Sequence, residues 1–275
     1  MPELPEVETV RRQLDERLRG AVLKNITLLR TGRERPAGQA FVKALKGQRI
    51  QKIERRAKLL IWRLENGDAI LAHLKMTGKF LFVEANHKPT KHDAIMFEGT
   101  LKTGKAFSLV WNDVRKFGFM EYVSPERLAE KLGEYGPEPL EVSVKDLTKC
   151  LDQASDKRTL KATLLDQSCI AGVGNIYADE ACHRVGLQPS RKLGTVSQKD
   201  RARLAEAVQA VLRESLAQRG TSAHSYMDTT GSKGGFLEFL RVYGRDGEPC
   251  RTCGTIIIKS RVAQRGTHAC PSCQR

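Results

Sequence analysis

The chain has 275 residues, 47 lysines and arginines against 32 acids, and a formal net charge of +15. That length suits two domains with a sizeable core. The charge calls for a polyanionic partner, nucleic acid foremost, with a ribosome-associated or merely very soluble protein left open. No apolar run is long enough to cross a bilayer, and the first residues lack the charged, apolar, small-residue order of a secretory signal. A cytosolic protein with no membrane partner is therefore expected.

The chain opens Met1-Pro2-Glu3-Leu4-Pro5-Glu6. An initiator methionine before a small residue is commonly removed, and removal here would leave Pro2 with a secondary amine. An α-amino group titrates near ~8, so part of it is unprotonated at neutral pH, whereas a lysine at ~10.4 must first be perturbed. The Pro2 nitrogen is thus a ready nucleophile for a carbonyl or a sugar C1′. The iminium it forms has no N–H to lose, stays cationic and favours elimination. Met-Pro is also an ordinary way to begin a chain, so its weight depends on the neighbouring residues. Val7, Val10, Leu14 and Leu18 recur on one helical face, with Glu3, Glu6 and Glu8 at the positive end, Arg17 and Arg19 in the last turn and Gly20 just past it. Such a helix would fix the amine against a core, and positioning supplies much of the rate in such a reaction.

From Ala21 to about Val123 the pattern is that of strands: AVLKNITLL, QRIQKIE, KLLIWRLE, DAILAHL, KFLFVE, AIMFEGTL, AFSLVW and FGFMEYV. Asn66-Gly67 is the strongest hairpin signal, and Lys102-Thr103-Gly104-Lys105 makes a second turn. A β-sandwich is expected over residues 1–131. The proline- and glycine-rich Leu132–Leu140 reads as a linker, taken to extend over 132–145.

Beyond it the period is helical, over Thr159–Asp166, Ile176–Val185 and Lys199–Gln218. The last has Ser197-x-x-Asp200 as a capping box and Gly220 at its end. Residues 146–235 are expected to form a helical domain that ends in a mobile Gly/Ser/Thr-rich stretch, Gly220–Gly235. Within it, Gly172-Val173-Gly174-Asn175 precedes a helix, so the backbone and the helix N-terminus suit a phosphate. Alone this is a weak signal, because it lacks a third glycine and a preceding strand.

The remainder, 236–275, carries Cys250-x2-Cys253-x16-Cys270-x2-Cys273. Two thiolate pairs at this spacing fill all four positions of a tetrahedral Zn²⁺, so one structural zinc and no open site are expected. Thr255–Lys259 and Thr267–Cys270 can pair as a ribbon with Arg265 at its tip, suited to a phosphate or a groove, although the tip residue of most zinc ribbons is a solvated one. Cys150, Cys169 and Cys182 are expected to be buried thiols without function. The fold class is α+β.

In order, these motifs resemble the formamidopyrimidine-DNA glycosylases, bifunctional DNA-repair enzymes that use an N-terminal proline. MPELPEVETVRR is similar to their start, and Leu4 stands where the related endonuclease VIII branch carries glycine. The resemblance implies a β-sandwich joined to a helix-two-turns-helix domain with a zinc ribbon, and damaged duplex DNA held in a basic cleft. It implies Pro2, Glu3, Lys58 and Arg265 in catalysis, with Lys58 on a strand beside the active site. His92, Arg115, Lys157 and Asn175 would contact DNA, and Met76, Arg115 and Phe117 would fill the place of an extruded oxidised purine. Lys161 would sit near the damaged base, with a helix-surface lysine as the equal alternative. The same resemblance implies a monomer without a small-molecule cofactor, in the bacterial cytosol or nucleoid. Val114, Lys116, Lys75 and Ala94 depart from the family pattern at DNA contacts and loops rather than at the chemistry. An endonuclease VIII-like glycosylase acting on oxidised pyrimidines and a non-catalytic damage-binding relative remain the alternatives.

Overall fold

Helix α1 spans Leu4–Leu18 in a computed structural model, which describes residues 1–30, 32, 34–35, 37–223 and 225–275. Its start is a capping box made by two acids: Glu3 is the N-cap, and its own N–H donates to Glu6 Oε2 at 2.7 Å. The predicted apolar face, Val7, Val10, Leu14 and Leu18, is fully buried. Truncating Leu14 to alanine would cost about 2–5 kcal/mol.

The eight expected strands all form. They are β1 (Val22–Leu28), β3 (Ile50–Arg56), β4 (Leu59–Leu64), β5 (Ala69–His73), β6 (Gly78–Val83), β7 (Asp93–Thr100), β8 (Ala106–Asp113) and β9 (Phe119–Val123). A two-residue β2 (Glu34–Arg35) and helix α2 (Gln39–Leu45) lie between β1 and β3, unforeseen, and helix α3 (Pro125–Gly133) follows β9. One sheet has the order β1-β7-β8-β6 and the other β2-β9-β5-β4-β3. They face each other through Trp62 on β4, whose ring lies 5.4 Å from that of Phe80 on β6 and 5.6 Å from that of Phe97 on β7. Each such buried side chain contributes roughly 1.5–3 kcal/mol by leaving water. The turn after Asn66 closes as predicted, with Gly67 at φ +90°.

The second unit comprises residues 133–218 and 236–275. Its helices are α4 (Val144–Gln153), α5 (Leu160–Leu165), α6 (Asn175–Val185) and α7 (Gln198–Ala217). Ser143, Thr159 and Ser197 cap α4, α5 and α7 by accepting from the backbone N–H three residues on. Helix α4 enters the span read as linker. Strands β10 (Ile258–Val262) and β11 (Arg265–Ala269) pair antiparallel through a two-residue turn. Among the described residues no helix is long and apolar enough to cross a membrane.

The packing groups two stretches in a way the sequence did not announce: residues 219–235 pack with the sandwich, and the zinc ribbon packs with the helices in one compact unit. The reason is hydrogen bonding that no local pattern announces. Thr221 N–H donates to Glu6 Oε1 at 2.7 Å, Thr229 N–H to Gln13 Oε1 at 2.9 Å, and Phe82 N–H to the Thr229 carbonyl at 3.2 Å. The stretch expected to be mobile is thereby anchored to α1 and β6, although its residue His224 lies outside the described residues. Gly220 makes the entry possible, since it holds φ +87° and a Cβ there would stand 2.7 Å from the Glu6 carboxylate.

Candidate active site and nucleic-acid interface

The N-terminus is buried from its second residue: Pro2 and Glu3 are enclosed, and Lys58 is 6% exposed. Glu6 spends one carboxylate oxygen on the Glu3 N–H and the other on Thr221, so the first turn is locked to the returning segment. With Met1 in place, the terminal amine is that of Met1, one residue before the Pro2 nitrogen. Burial pushes that amine below its ordinary value near 8; Lys58 and Arg115 push the same way, and Glu3 and Glu6 oppose them. Burial and the neighbouring cations thus favour the uncharged form of an amine at this terminus, and the same cations suit phosphates.

Lys58 is not a strand residue. It is the second residue of the tight turn between β3 and β4, where Arg56 pairs with Leu59 and Ala57 adopts φ +51°. At the end of β5, His73 Nδ1 accepts from the Lys75 N–H at 2.9 Å. Burial, with Lys75 and Lys58 adding to it, pushes the His73 imidazole down to about 3, so it is neutral and acts as an acceptor.

The segments that carry Met76 and the Arg115–Phe117 loop are tied together by two residues not foreseen. Thr77 Oγ1 donates to Asp113 Oδ1 at 2.5 Å and accepts from the Arg115 N–H at 2.9 Å, while Gly118 N–H donates to Asp113 Oδ2 at 2.7 Å. Asp113 is buried and thus fixes both loops at their bases. At the tip, the Arg115 guanidinium lies 4.8 Å from the Phe117 ring centre, and Phe117 is 48% exposed. A large exposed ring under a cation is costly in water and useful against a nucleobase. Arg30 holds the neighbouring loop, donating to the His92 carbonyl at 2.6 Å and the Asp113 carbonyl at 2.9 Å, and leaves the His92 side chain half-buried.

In the second unit Asn175 opens α6 behind the N-cap Gly174, which has no capping side chain, an arrangement suited to a phosphate. Asn175 Nδ2 donates to the Gly266 carbonyl at 3.0 Å, so this helix start adjoins the ribbon tip. Arg265 is exposed beside the Ala263-Gln264 turn, with the strands reaching closer to the tip than their sequence suggested. Lys157 is exposed.

Lys161 corrects its prediction. It is fully buried, paired with Asp179 Oδ1 at 2.7 Å, and donates to the Gly266 carbonyl at 2.8 Å and to Thr267 Oγ1 at 2.9 Å. Its position presents no cation to a base; it ties the helices to the strand that follows Arg265. Asp179 Oδ2 also accepts the His268 N–H at 3.0 Å, and Glu180 accepts the N–H groups of Arg241, Val242 and Tyr243 at 2.8–2.9 Å. Adjacent acids on α6 thus hold β11 and the segment Arg241–Tyr243 that precedes the ribbon.

Cys250, Cys253, Cys270 and Cys273 place their sulfurs within 4.8 Å of one another. Pairs lie at 3.9, 3.5 and 3.2 Å, around the roughly 3.8 Å edge that a Zn²⁺ tetrahedron with 2.3 Å bonds requires. The donor set fits one structural zinc with every position filled by thiolate. His183 Nε2 lies 3.6 Å from Cys250 Sγ, a contact from α6 that the cysteine spacing could not reveal.

Among the described residues, the non-glycine residues with positive φ are Ala57, Lys75, Lys116, Arg219, Ala263 and Gln264. They adjoin Lys58, Met76, the Arg115–Phe117 pair, Gly220 and Arg265. Glu6, named from the sequence only as an acid of the first turn, had the further signal of an acid three positions after another before an apolar run. Thr77, Asp113 and His73, close in the chain to Met76 and Arg115, had no local signature.

A glycosylase architecture of three parts matches this chain. Models of the formamidopyrimidine-DNA glycosylase N-terminal domain, of its H2TH domain, and of the zinc finger found in FPG and IleRS cover residues 1–120, 135–226 and 247–275. The formamidopyrimidine-DNA glycosylases of Desulfitobacterium hafniense and Geobacillus kaustophilus are 40% and 39% identical to it, over the whole of both chains. A complex of Lactococcus lactis Fpg with abasic-site DNA is 32% identical with a TM-score of 0.90, covering 99% of each chain. Another, with Fapy-dG-containing DNA, has a TM-score of 0.89 at the same identity, over 99% of this chain and 100% of that one. The chain belongs to the formamidopyrimidine-DNA glycosylase family.

Proposed function

We propose that this protein is a bifunctional DNA glycosylase and abasic-site lyase of base-excision repair, acting on oxidised purines in duplex DNA. The observation that carries the reading is the N-terminal site, where Pro2, Glu3 and Lys58 are all buried and the Glu6 carboxylate fixes the Glu3 N–H at 2.7 Å. With Met1 removed, Pro2 nitrogen attacks C1′ of the extruded nucleotide, Glu3 gives a proton to the opening sugar, and the base leaves. The iminium then draws electrons from C2′, so that one phosphate leaves by β-elimination and the other by δ-elimination. Lys58 serves the first departure and Arg265 the second. Met76, Arg115 and Phe117 fill the duplex where the base was, and Asn175, His92 and Lys157 hold its backbone. Zinc takes no part in the chemistry and keeps the Arg265 hairpin in shape. The site of action is where the DNA is, the bacterial cytosol and nucleoid.

The test is borohydride trapping on a duplex with one 8-oxoguanine opposite cytosine, using protein sequenced to begin at Pro2. A covalent adduct mapping to Pro2 is expected. No adduct with oxidised purines or pyrimidines would instead favour a non-catalytic damage-binding protein.

A further inference from the structure

The turn that carries Lys58 is held by an arginine that the reaction does not itself use. Arg55 on β3 is 4% exposed at its side chain, with its Nε 3.1 Å from Glu8 Oε2. Its Nη1 donates to the Ala57 carbonyl at 3.0 Å. Glu8 lies in the second turn of α1, the helix that follows Pro2 and the N-cap Glu3, and it also accepts from Arg11 at 2.8 Å and Arg12 at 2.8 Å. A second tie runs parallel to this one, the Ile53 N–H donating to Asp15 Oδ1 of α1 at 2.7 Å. One guanidinium thus joins the helix bearing the amine to the peptide that precedes the buried lysine.

That peptide needs holding. Ala57 sits at φ +51° in the first position of a two-residue hairpin turn, a place where glycine is preferred because a Cβ is strained there. Released, an alanine drifts to negative φ, and Lys58, the next residue, swings with it. A planar fork suits the task because its two N–H directions are fixed relative to each other. Lysine in its place offers a rotating ammonium with no fixed pair of N–H directions, so it cannot hold the carboxylate and the carbonyl at a set spacing.

We propose that Arg55 is a positioning residue for the reaction, its clamp between Glu8 and the Ala57 carbonyl fixing Lys58 relative to the Pro2 amine. This rests on the proposed function above. A displacement of the order of 1 Å at a reacting group costs about 100-fold in rate. In the full-length zinc protein, Arg55→Lys is expected to lower the single-turnover rate of strand cleavage and of borohydride trapping by roughly 10- to 100-fold. The affinity for a duplex with an uncleavable abasic-site analogue and the melting temperature stay near wild type. Adding Ala57→Gly to Arg55→Lys restores most of the rate, because glycine holds the turn without the clamp. Glu8→Gln, which keeps volume and removes the charge at the other end, gives a smaller loss of the same kind and serves if Arg55→Lys folds poorly.

Wild-type protein that begins at Pro2 and forms no adduct overturns the proposed function and this inference with it. Wild type that traps at Pro2, with Arg55→Lys and Glu8→Gln within twofold of it, overturns the inference alone. So does a loss in rate matched by loss of affinity and melting temperature that Ala57→Gly does not relieve, since that describes a merely structural arginine.

Discussion

Lys161→Met removes one side of an ion pair that is fully enclosed and leaves Asp179 charged in the interior. Breaking a buried pair in this way costs about 3–5 kcal/mol, because the remaining charge has lost its compensation and is shielded from water. The structure argues for the full range: the ammonium also donates to the Gly266 carbonyl and to Thr267 Oγ1, and both acceptors would be left short of a donor. For a chain of this size each kcal/mol moves the melting temperature by roughly 2–4 °C, so a fall on the order of 10 °C is expected. Asp179→Leu added to Lys161→Met removes the stranded charge and recovers part of the loss, about 1–2 kcal/mol. It stops short of wild type because the His268 N–H also loses its acceptor. Thermal melts of the two single variants and the double variant measure the coupling directly. A Lys161→Met protein that melts within 2 °C of wild type, yet no longer distinguishes damaged from undamaged DNA, would refute the reasoning and return Lys161 to the role of a base contact.

Other perturbations separate chemistry from architecture. Pro2→Gly is expected to lower base removal strongly while leaving binding to damaged duplex near wild type; equal loss of both, by gel shift and single-turnover assay, would count against Pro2 as nucleophile. Stripping zinc should unfold the ribbon and not the sandwich, since the metal-side core is only Val242, Cys250, Ile257 and Cys270 with Cys273 against it. Limited proteolysis should then cut within 245–275 alone, and protection of that region in verified zinc-free protein would contradict the structural role. His73 makes the sandwich acid-sensitive. Its folded pKa of about 3 lies below the unfolded value near 6.5, so the unfolded chain takes up the proton first and stability falls as pH drops below that unfolded value. By pH 5 the loss is about 2 kcal/mol, and in His73→Gln a denaturation series from pH 7.5 to 5 should lack that increment.

The strands, α1 and the zinc cysteines were legible because their signals are local: a period of two or 3.6, or ligands spaced along one hairpin. Helix α4 was hidden by the prolines and glycines just before it, although Leu147 and Leu151 lie one turn apart and are buried. What could not be read was the set of bonds made at long separation. Lys161 meets a carbonyl 105 residues away, and Glu6 meets Thr221 across 215. A lysine on a helix gives no local sign that its ammonium will be enclosed, because that depends on a strand from another part of the chain. The same holds for residues 219–235. Their composition suggests freedom, while their placement depends on Glu6, Gln13 and Phe82, all far earlier in the chain.

Backbone strain and function coincide along this chain in a way that composition does not require. Each non-glycine residue held at positive φ costs about 1–2 kcal/mol, and selection for stability alone would put glycine or asparagine there. Here the strained residues are Ala57, Lys75, Lys116, Arg219, Ala263 and Gln264. Four of the five places concerned carry the side chains assigned to phosphates or to the gap in the duplex, and the fifth is where the chain turns back towards Glu6. A tight turn projects the neighbouring side chain outward on a short, stiff base, as the fixed loop bases at Thr77 and Asp113 do for Arg115 and Phe117. Glycine would relieve the strain; outside the Ala57 turn, which the β3–β4 pairing closes on both sides, it would also loosen that base. Retaining alanine, lysine and glutamine at these turns exchanges stability for narrow presentation, which a reaction governed by the placement of an amine against C1′ rewards.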